Sequence, residues 1–243
     1  VLEAAFWGLL TSGSLLVGAG LAVAFRPGRR AVGLTMAFGA GALISAVAYD
    51  LVLEAFAERA LLPTLGLVTG ALTFFVGDAL IDRMGGHGRK SMEGEHQAAA
   101  GAAPGIVLGT VLDGLPESAI LGATLVEGGS ISYAFIVAVF VSNLPESISS
   151  TAGLREAGWR LRRIFSLWAL VVAASTATAV LGWLAFDNIE GLDSSFLLAF
   201  AAGGVLVMLA DTMMPEAFLL GGRTAGLATT LGFALAFAVV QLE

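Results

Sequence analysis

The chain has 243 residues, no cysteine, a net charge of −7, and a composition that is 57% hydrophobic and only 13% charged. A mean hydropathy of +0.89 is far from that of a water-soluble globular domain, so the chain is expected to fold in a bilayer. The lack of cysteine excludes disulfides, thiolate metal sites and a cysteine nucleophile.

About 20 apolar residues cross the hydrocarbon core as a helix. Such stretches run from Leu2 to Phe25, Ala31 to Leu53, Leu61 to Ile81, Ala103 to Val126, Ile131 to Leu154, Ile164 to Phe186, Ser195 to Ala217 and Gly222 to Val240. Short clusters of Arg, Gly, Pro and Asp separate them. The reading is a single all-α transmembrane domain over 1–243, with eight transmembrane helices and a cytoplasmic loop at 82–102. No basic stretch precedes the first run, so it reads as a true span and not as a cleaved signal.

Basic residues fall on alternate connections. Arg26, Arg29 and Arg30 follow the first span, and Arg83, Arg89 and Lys90 the third. Arg155, Arg160, Arg162 and Arg163 follow the fifth, and Arg223 the seventh. The opposite connections hold Arg59 among Glu58, Glu127, Asp187, Glu190 and Asp193. The positive-inside rule then puts both termini outside the cell membrane, in agreement with an even span count.

The second span reads AFGAGALISAVAYDLVLEAF from Ala37, and the seventh reads AFAAGGVLVMLADTMMPEAF from Ala199, without a gap. The copies are five spans apart in chain order, an odd offset, so they are expected to cross in opposite directions as an inverted repeat of spans 1–3 and 6–8 around the pair 4–5. Inversion puts Asp50 and Glu54 at the outer mouth and Asp211 and Glu216 at the inner one. Asp78 near the end of the third span joins the inner set.

The fourth span carries Asp113-Gly114-Leu115-Pro116-Glu117-Ser118 and the fifth Ser142-Asn143-Leu144-Pro145-Glu146-Ser147, one motif twice. Asp113 and Glu117 share a helix face, as do Ser142 and Glu146, with Asn143 three residues before Glu146. Pro116 and Pro145 free the carbonyls of Leu112 and Val141, further oxygen ligands. An ionised Asp near a helix centre costs roughly 2.5 to 3.5 kcal/mol, so three carboxylates cost on the order of 8 to 10. Apart from Arg223 at the very start of the eighth, no basic residue lies within the spans to offset that. A divalent metal fits, held by Asp113, Glu117, Ser142, Asn143 and Glu146. These oxygen ligands suit Mn, Fe(II), Mg or Ca and leave zinc open.

On these motifs the whole chain resembles the ZIP family of zinc and iron transporters. In that family the fourth and fifth spans carry His-Asn-x-Pro-Glu-Gly-like motifs, and the second and seventh end in Pro-Glu-Ala-like motifs. Met214-Pro215-Glu216-Ala217 matches the latter, and Leu53-Glu54-Ala55 does so in part. The chain departs where the family has His, with Asp113 in the fourth span and Ser142 in the fifth, and Gly114 replaces the neighbouring Asn. Ser175 stands at the place of a bridging Glu in the sixth span. The resemblance implies metal import to the cytosol by a secondary transporter, not an enzyme, and it implies a homodimer. The cargo would be a divalent ion such as Zn, Fe, Mn, Co or Cd, the partners would be that ion and the bilayer, and no nucleic acid is expected. It also allows a role in handling metal for the loop bearing His87 and His96, which by composition reads first as a polar linker.

Two other readings compete. A transport-inactive or metal-sensing relative would explain the replaced His residues. An intramembrane hydrolase would use paired carboxylates, but its His-Glu-x-x-His motif and a Ser/His pair within the spans are missing.

Overall fold

The computed structural model describes residues 1–86, 102–125, 132–188 and 193–242, and the regular elements among them are all helical. Six stretches are long and apolar enough to cross a membrane: Leu2–Phe25, Arg29–Ala55, Leu61–Met84, Tyr133–Glu156, Leu161–Ala185 and Ser194–Val240. Large apolar side chains on these stretches face outward, among them Leu2, Leu61, Leu72, Phe75, Leu181 and Leu227. The protein is a multi-pass helical membrane protein. His87 and His96 lie outside the described residues.

We number the rods α1 (Leu2–Phe25), α2 (Arg29–Ala55), α3 (Leu61–Ile81), α4 (Ala102–Thr124), α5 (Tyr133–Glu156), α6 (Leu161–Asn188), α7 (residues 194–221) and α8 (Ala225–Val240). Local chemistry sets their ends. Arg26 closes α1 in the left-handed conformation, φ 47°, just before Pro27, which cannot continue the helix. Ser132 caps α5 by accepting from the Phe135 N–H at 3.0 Å, and Asp193 caps α7 by accepting from the Phe196 N–H at 3.3 Å. Gly222, at φ 63°, breaks the helical run between α7 and α8.

Where α5 turns into α6, the Trp159 N–H donates to the Leu154 carbonyl at 2.9 Å and the Gly158 N–H to that of Arg155 at 3.0 Å. Gly158 takes φ 83°, so this is the paired bonding of a Schellman cap. Trp159 packs on the cluster that holds Leu154, Ile164 and the fully buried Trp168.

α2 and α7 share an irregularity. Each changes from α to π hydrogen bonding, α2 over Val47–Val52 and α7 over Leu209–Met213. Pro215 has no N–H for the Asp211 carbonyl, which accounts for a shifted register in α7. The equivalent residue in α2 is Leu53, so proline is not the common cause. π turns concentrate at functional sites.

α3 packs along α7 and α2 along α8, while α1 lies against both α5 and α6, and α6 against α4. Glycine sets the closest of these approaches. A Cβ on Gly41 would overlap the carbonyl of Thr229, and one on Gly232 that of Phe38, between α2 and α8. Between α7 and α3, Gly203 meets the carbonyl of Leu67 and Gly70 that of Phe200. One constant shift along the chain takes Gly41 to Gly203, Leu67 to Thr229, Phe38 to Phe200 and Gly70 to Gly232. The same shift takes Val47, the start of one π turn, to Leu209, the start of the other.

Candidate metal centre

Four helices close around the middle of the bundle. Gly18 of α1 lies against Leu144 and Ser147 of α5, Gly8 of α1 against Thr176 and Ala179 of α6, and Gly122 of α4 against Ala179. Without side chains at these glycines the backbones approach closely enough to enclose a small space. Pro116 and Pro145 stand inside α4 and α5, each one residue before a glutamate that lines this space.

The enclosed space has about 10 Å³ open to the centre of a water-sized sphere, room for about one water. Glu117, Ser118 and Thr110 line it from α4, Asn143 and Glu146 from α5, Thr11 and Ser12 from α1, and Ser175 from α6. Glu117 is 4% exposed and Glu146 6%. Among the described residues, no Arg, Lys or His side chain lines it.

The α1 hydroxyls at this space and the Asn143 amide direct protons onto helix carbonyls. The Thr11 hydroxyl donates to the Trp7 and Gly8 carbonyls at 2.9 and 3.2 Å, and the Ser12 hydroxyl to the Gly8 carbonyl at 2.5 Å. Asn143 Nδ2 donates to the Thr11 carbonyl at 3.3 Å, which leaves Oδ1 as an acceptor. The Ser147 hydroxyl donates to the Asn143 and Leu144 carbonyls at 2.9 and 3.1 Å. The wall of the cavity is rich in oxygen acceptors and carries two carboxylates, which favours a cation.

Of the five residues expected to hold the metal, Glu117, Asn143 and Glu146 meet at this cavity. Asp113 and Ser142 are buried, each 2% exposed, but do not line it. The Ser142 hydroxyl donates to the Val139 carbonyl at 2.9 Å. Asp113 belongs to the part of α4 next to α3, where Leu112 lies against Gly77, one residue before the buried Asp78. Among the described residues, no three His, Asp or Glu side chains group as ligands of one ion. The cavity thus holds two carboxylates where sequence spacing pointed to three.

The residues expected along a path are spread through the bundle. Ser175 lines the central cavity. Asp50 and Asp211 lie on the two π turns, and the Ser132 hydroxyl donates to Asp50 Oδ2 at 2.7 Å, tying the turn of α2 to the cap of α5. Glu216 is half-buried on α7. Glu54 lines a separate polar pocket of about 400 Å³ with Glu58, Arg59, Asp193 and Ser195. There Arg59 pairs with Asp193 at 3.4 Å. The Ser195 hydroxyl bonded to Asp193 holds that carboxyl below its usual range, with help from the Phe196 N–H and the Arg59 charge.

Sequence reading missed Thr11, Ser12 and Thr110, because one hydroxyl in an apolar helix looks like any small packing residue. A scan against protein-family models and a search of curated proteins give no match.

Proposed function

We propose that the protein is a secondary transporter of divalent metal cations, of the ZIP type, and not an enzyme. The observation that carries this reading is the pair Glu117 and Glu146, buried in one small cavity with Asn143 and several hydroxyls and, among the described residues, with no basic side chain on its wall. Two ionised carboxylates at that depth cost roughly 5 to 7 kcal/mol if nothing offsets them. One divalent cation balances their charge, and two protons do so when the ion departs.

The wider architecture is eight spans with both termini outside. The 47-residue stretch Ser194–Val240 would be about 70 Å long as one helix, more than twice the roughly 30 Å hydrocarbon core. Its break at Gly222 favours two spans, and α4 adds another. Matching glycine contacts and π turns that start one shift apart support two repeats, and the four spans between α2 and α7, an even number, make them inverted. Transport then proceeds by alternating access, with α4 and α5 moving against the α2–α8 and α3–α7 pairs. An interior-negative potential favours entry of two charges by about 4.6 kcal/mol per 100 mV.

The test is uptake of Mn, Fe(II), Zn, Co, Cd, Mg and Ca into liposomes holding the purified protein. The reading expects uptake of at least one ion, with its loss in Glu117→Gln and in Glu146→Gln. Uptake unchanged in both variants, or no uptake of any ion by folded, inserted protein, overturns it.

A further inference from the structure

We propose that the first helix is part of the ion site: Thr11 and Ser12, which line the cavity together with Ser175, present hydroxyl oxygens to the cation and make the site selective for a hard divalent ion such as Mn²⁺ over the softer Cd²⁺. The inference rests on the transport reading above and names the class of ion carried.

The motif pair on α4 and α5 supplies four oxygen-bearing side chains to the cavity wall: Glu117, Ser118, Asn143 and Glu146. A cavity with room for about one water cannot bring in an ion with its full hydration shell, so the protein has to supply most of the coordination. With Thr110, α4 and α5 offer five oxygen-bearing side chains, one short of the six ligands an octahedral oxygen site requires, and Thr11, Ser12 and Ser175 complete the set.

The hydrogen bonding of α1 suits that role. A hydroxyl has one proton and two lone pairs. Those of Thr11 and Ser12 have their protons committed to the carbonyls of Trp7 and Gly8, so what they offer the cavity is lone pairs. The two residues are 4% and 3% exposed, deep in the bundle. The bond from Asn143 Nδ2 to the Thr11 carbonyl fixes α1 against α5 at the level of the site. It also sets which end of the Asn143 amide is left to act as a ligand.

The ligand chemistry decides the ion class. Carboxylate, amide and hydroxyl oxygens are hard donors, the chain has no thiolate, and among the described residues no imidazole lines the cavity. Mg²⁺ shares the octahedral preference but gives up water reluctantly, and Ca²⁺ asks for longer bonds and more ligands. Mn²⁺ meets both the oxygen set and the small space.

The chain has no cysteine, so Ser12→Cys creates a single thiol at the proposed ligand position. Binding of Mn²⁺ and Cd²⁺ to detergent-purified protein is measured by titration calorimetry for the wild type, Ser12→Ala, Ser12→Cys and Ser175→Cys. Thermal melts establish which variants are folded. The expected result is a wild type that prefers Mn²⁺, about tenfold weaker Mn²⁺ binding in Ser12→Ala, and a shift of at least tenfold toward Cd²⁺ in Ser12→Cys. Ser175→Cys is expected to shift the same way and carries the test if Ser12→Cys does not fold. A wild type that binds metal, with an Mn/Cd ratio moved less than twofold by the folded cysteine variants, overturns the role of the hydroxyls and leaves the transporter reading standing. A wild type that binds no divalent cation overturns both.

Discussion

Two interfaces related by one shift along the chain make an energetic prediction. Gly41 and Gly203 each face a carbonyl of the neighbouring helix so closely that a methyl group would overlap it. Gly13 and Gly20 on α1 have nothing within 4 Å of an added Cβ. Alanine in a helix is favoured over glycine by about 0.5 to 1 kcal/mol where space is open. Gly13→Ala and Gly20→Ala should therefore be neutral or stabilising by that amount. At Gly41 and Gly203 the same gain is opposed by overpacking against a backbone that cannot rotate away, at about 1 to 3 kcal/mol. The sign reverses, and each variant should lose about 0.5 to 2 kcal/mol. Since α2–α8 and α3–α7 are separate interfaces, the double variant should lose close to the total, within about 0.5 kcal/mol. Unfolding of the detergent-solubilised protein by denaturant reads all five. A large loss at Gly203 with none at Gly41, or a loss at Gly20 equal to that at Gly41, refutes the equivalence of the two helix pairs.

Further outcomes follow from single contacts. The Nε1–H of the buried Trp168 donates to Thr151 Oγ1 at 2.9 Å, so Thr151→Val leaves a buried donor without its partner and should lower stability by about 1 to 3 kcal/mol, read as a lower denaturation midpoint. Asp193 caps α7, and Asp193→Ala should cost about 1 kcal/mol at neutral pH. Because the folded-state pKa of Asp193 is lowered from 3.8, its contribution is present above that value and fades as pH falls through the folded pKa. The gap between wild type and variant should close in strong acid; a gap that widens there contradicts the assigned cap.

Much of the fold was legible because apolar length alone marks a span. Leu2–Phe25 and Leu61–Ile81 match their expected limits, and α2 extends a few residues beyond Ala31 to Leu53, reaching Arg29–Ala55. The π turns were hidden: a one-residue shift in backbone bonding needs no special composition, as Leu53 standing where Pro215 stands makes plain. At the centre, the Pro-Glu motifs located Glu117, Asn143 and Glu146. Helical spacing also put Asp113 and Glu117 on one face, but spacing does not tell which side chains along that face meet a particular neighbour. α4 packs on α3, α6 and α7, and Asp113 falls near Leu112, which faces α3. The α1 hydroxyls needed tertiary contacts to be seen at all, since nothing in LLTSGSLL distinguishes a ligand from a packing serine.

The central claim is that one divalent cation binds between Glu117 and Glu146. Removing one of two carboxylates that balance a buried dication leaves uncompensated charge, a loss of about 3 to 5 kcal/mol, roughly 10²- to 10⁴-fold in affinity. Equilibrium binding of Mn²⁺ to the purified protein, followed by calorimetry, tests this most directly. The account predicts one ion per chain, loss of at least a hundredfold in affinity in Glu117→Gln and in Glu146→Gln, and binding within about threefold of wild type in Asp113→Asn. Wild-type affinity in either glutamate variant, or binding that depends on Asp113 in place of the two glutamates, would contradict it.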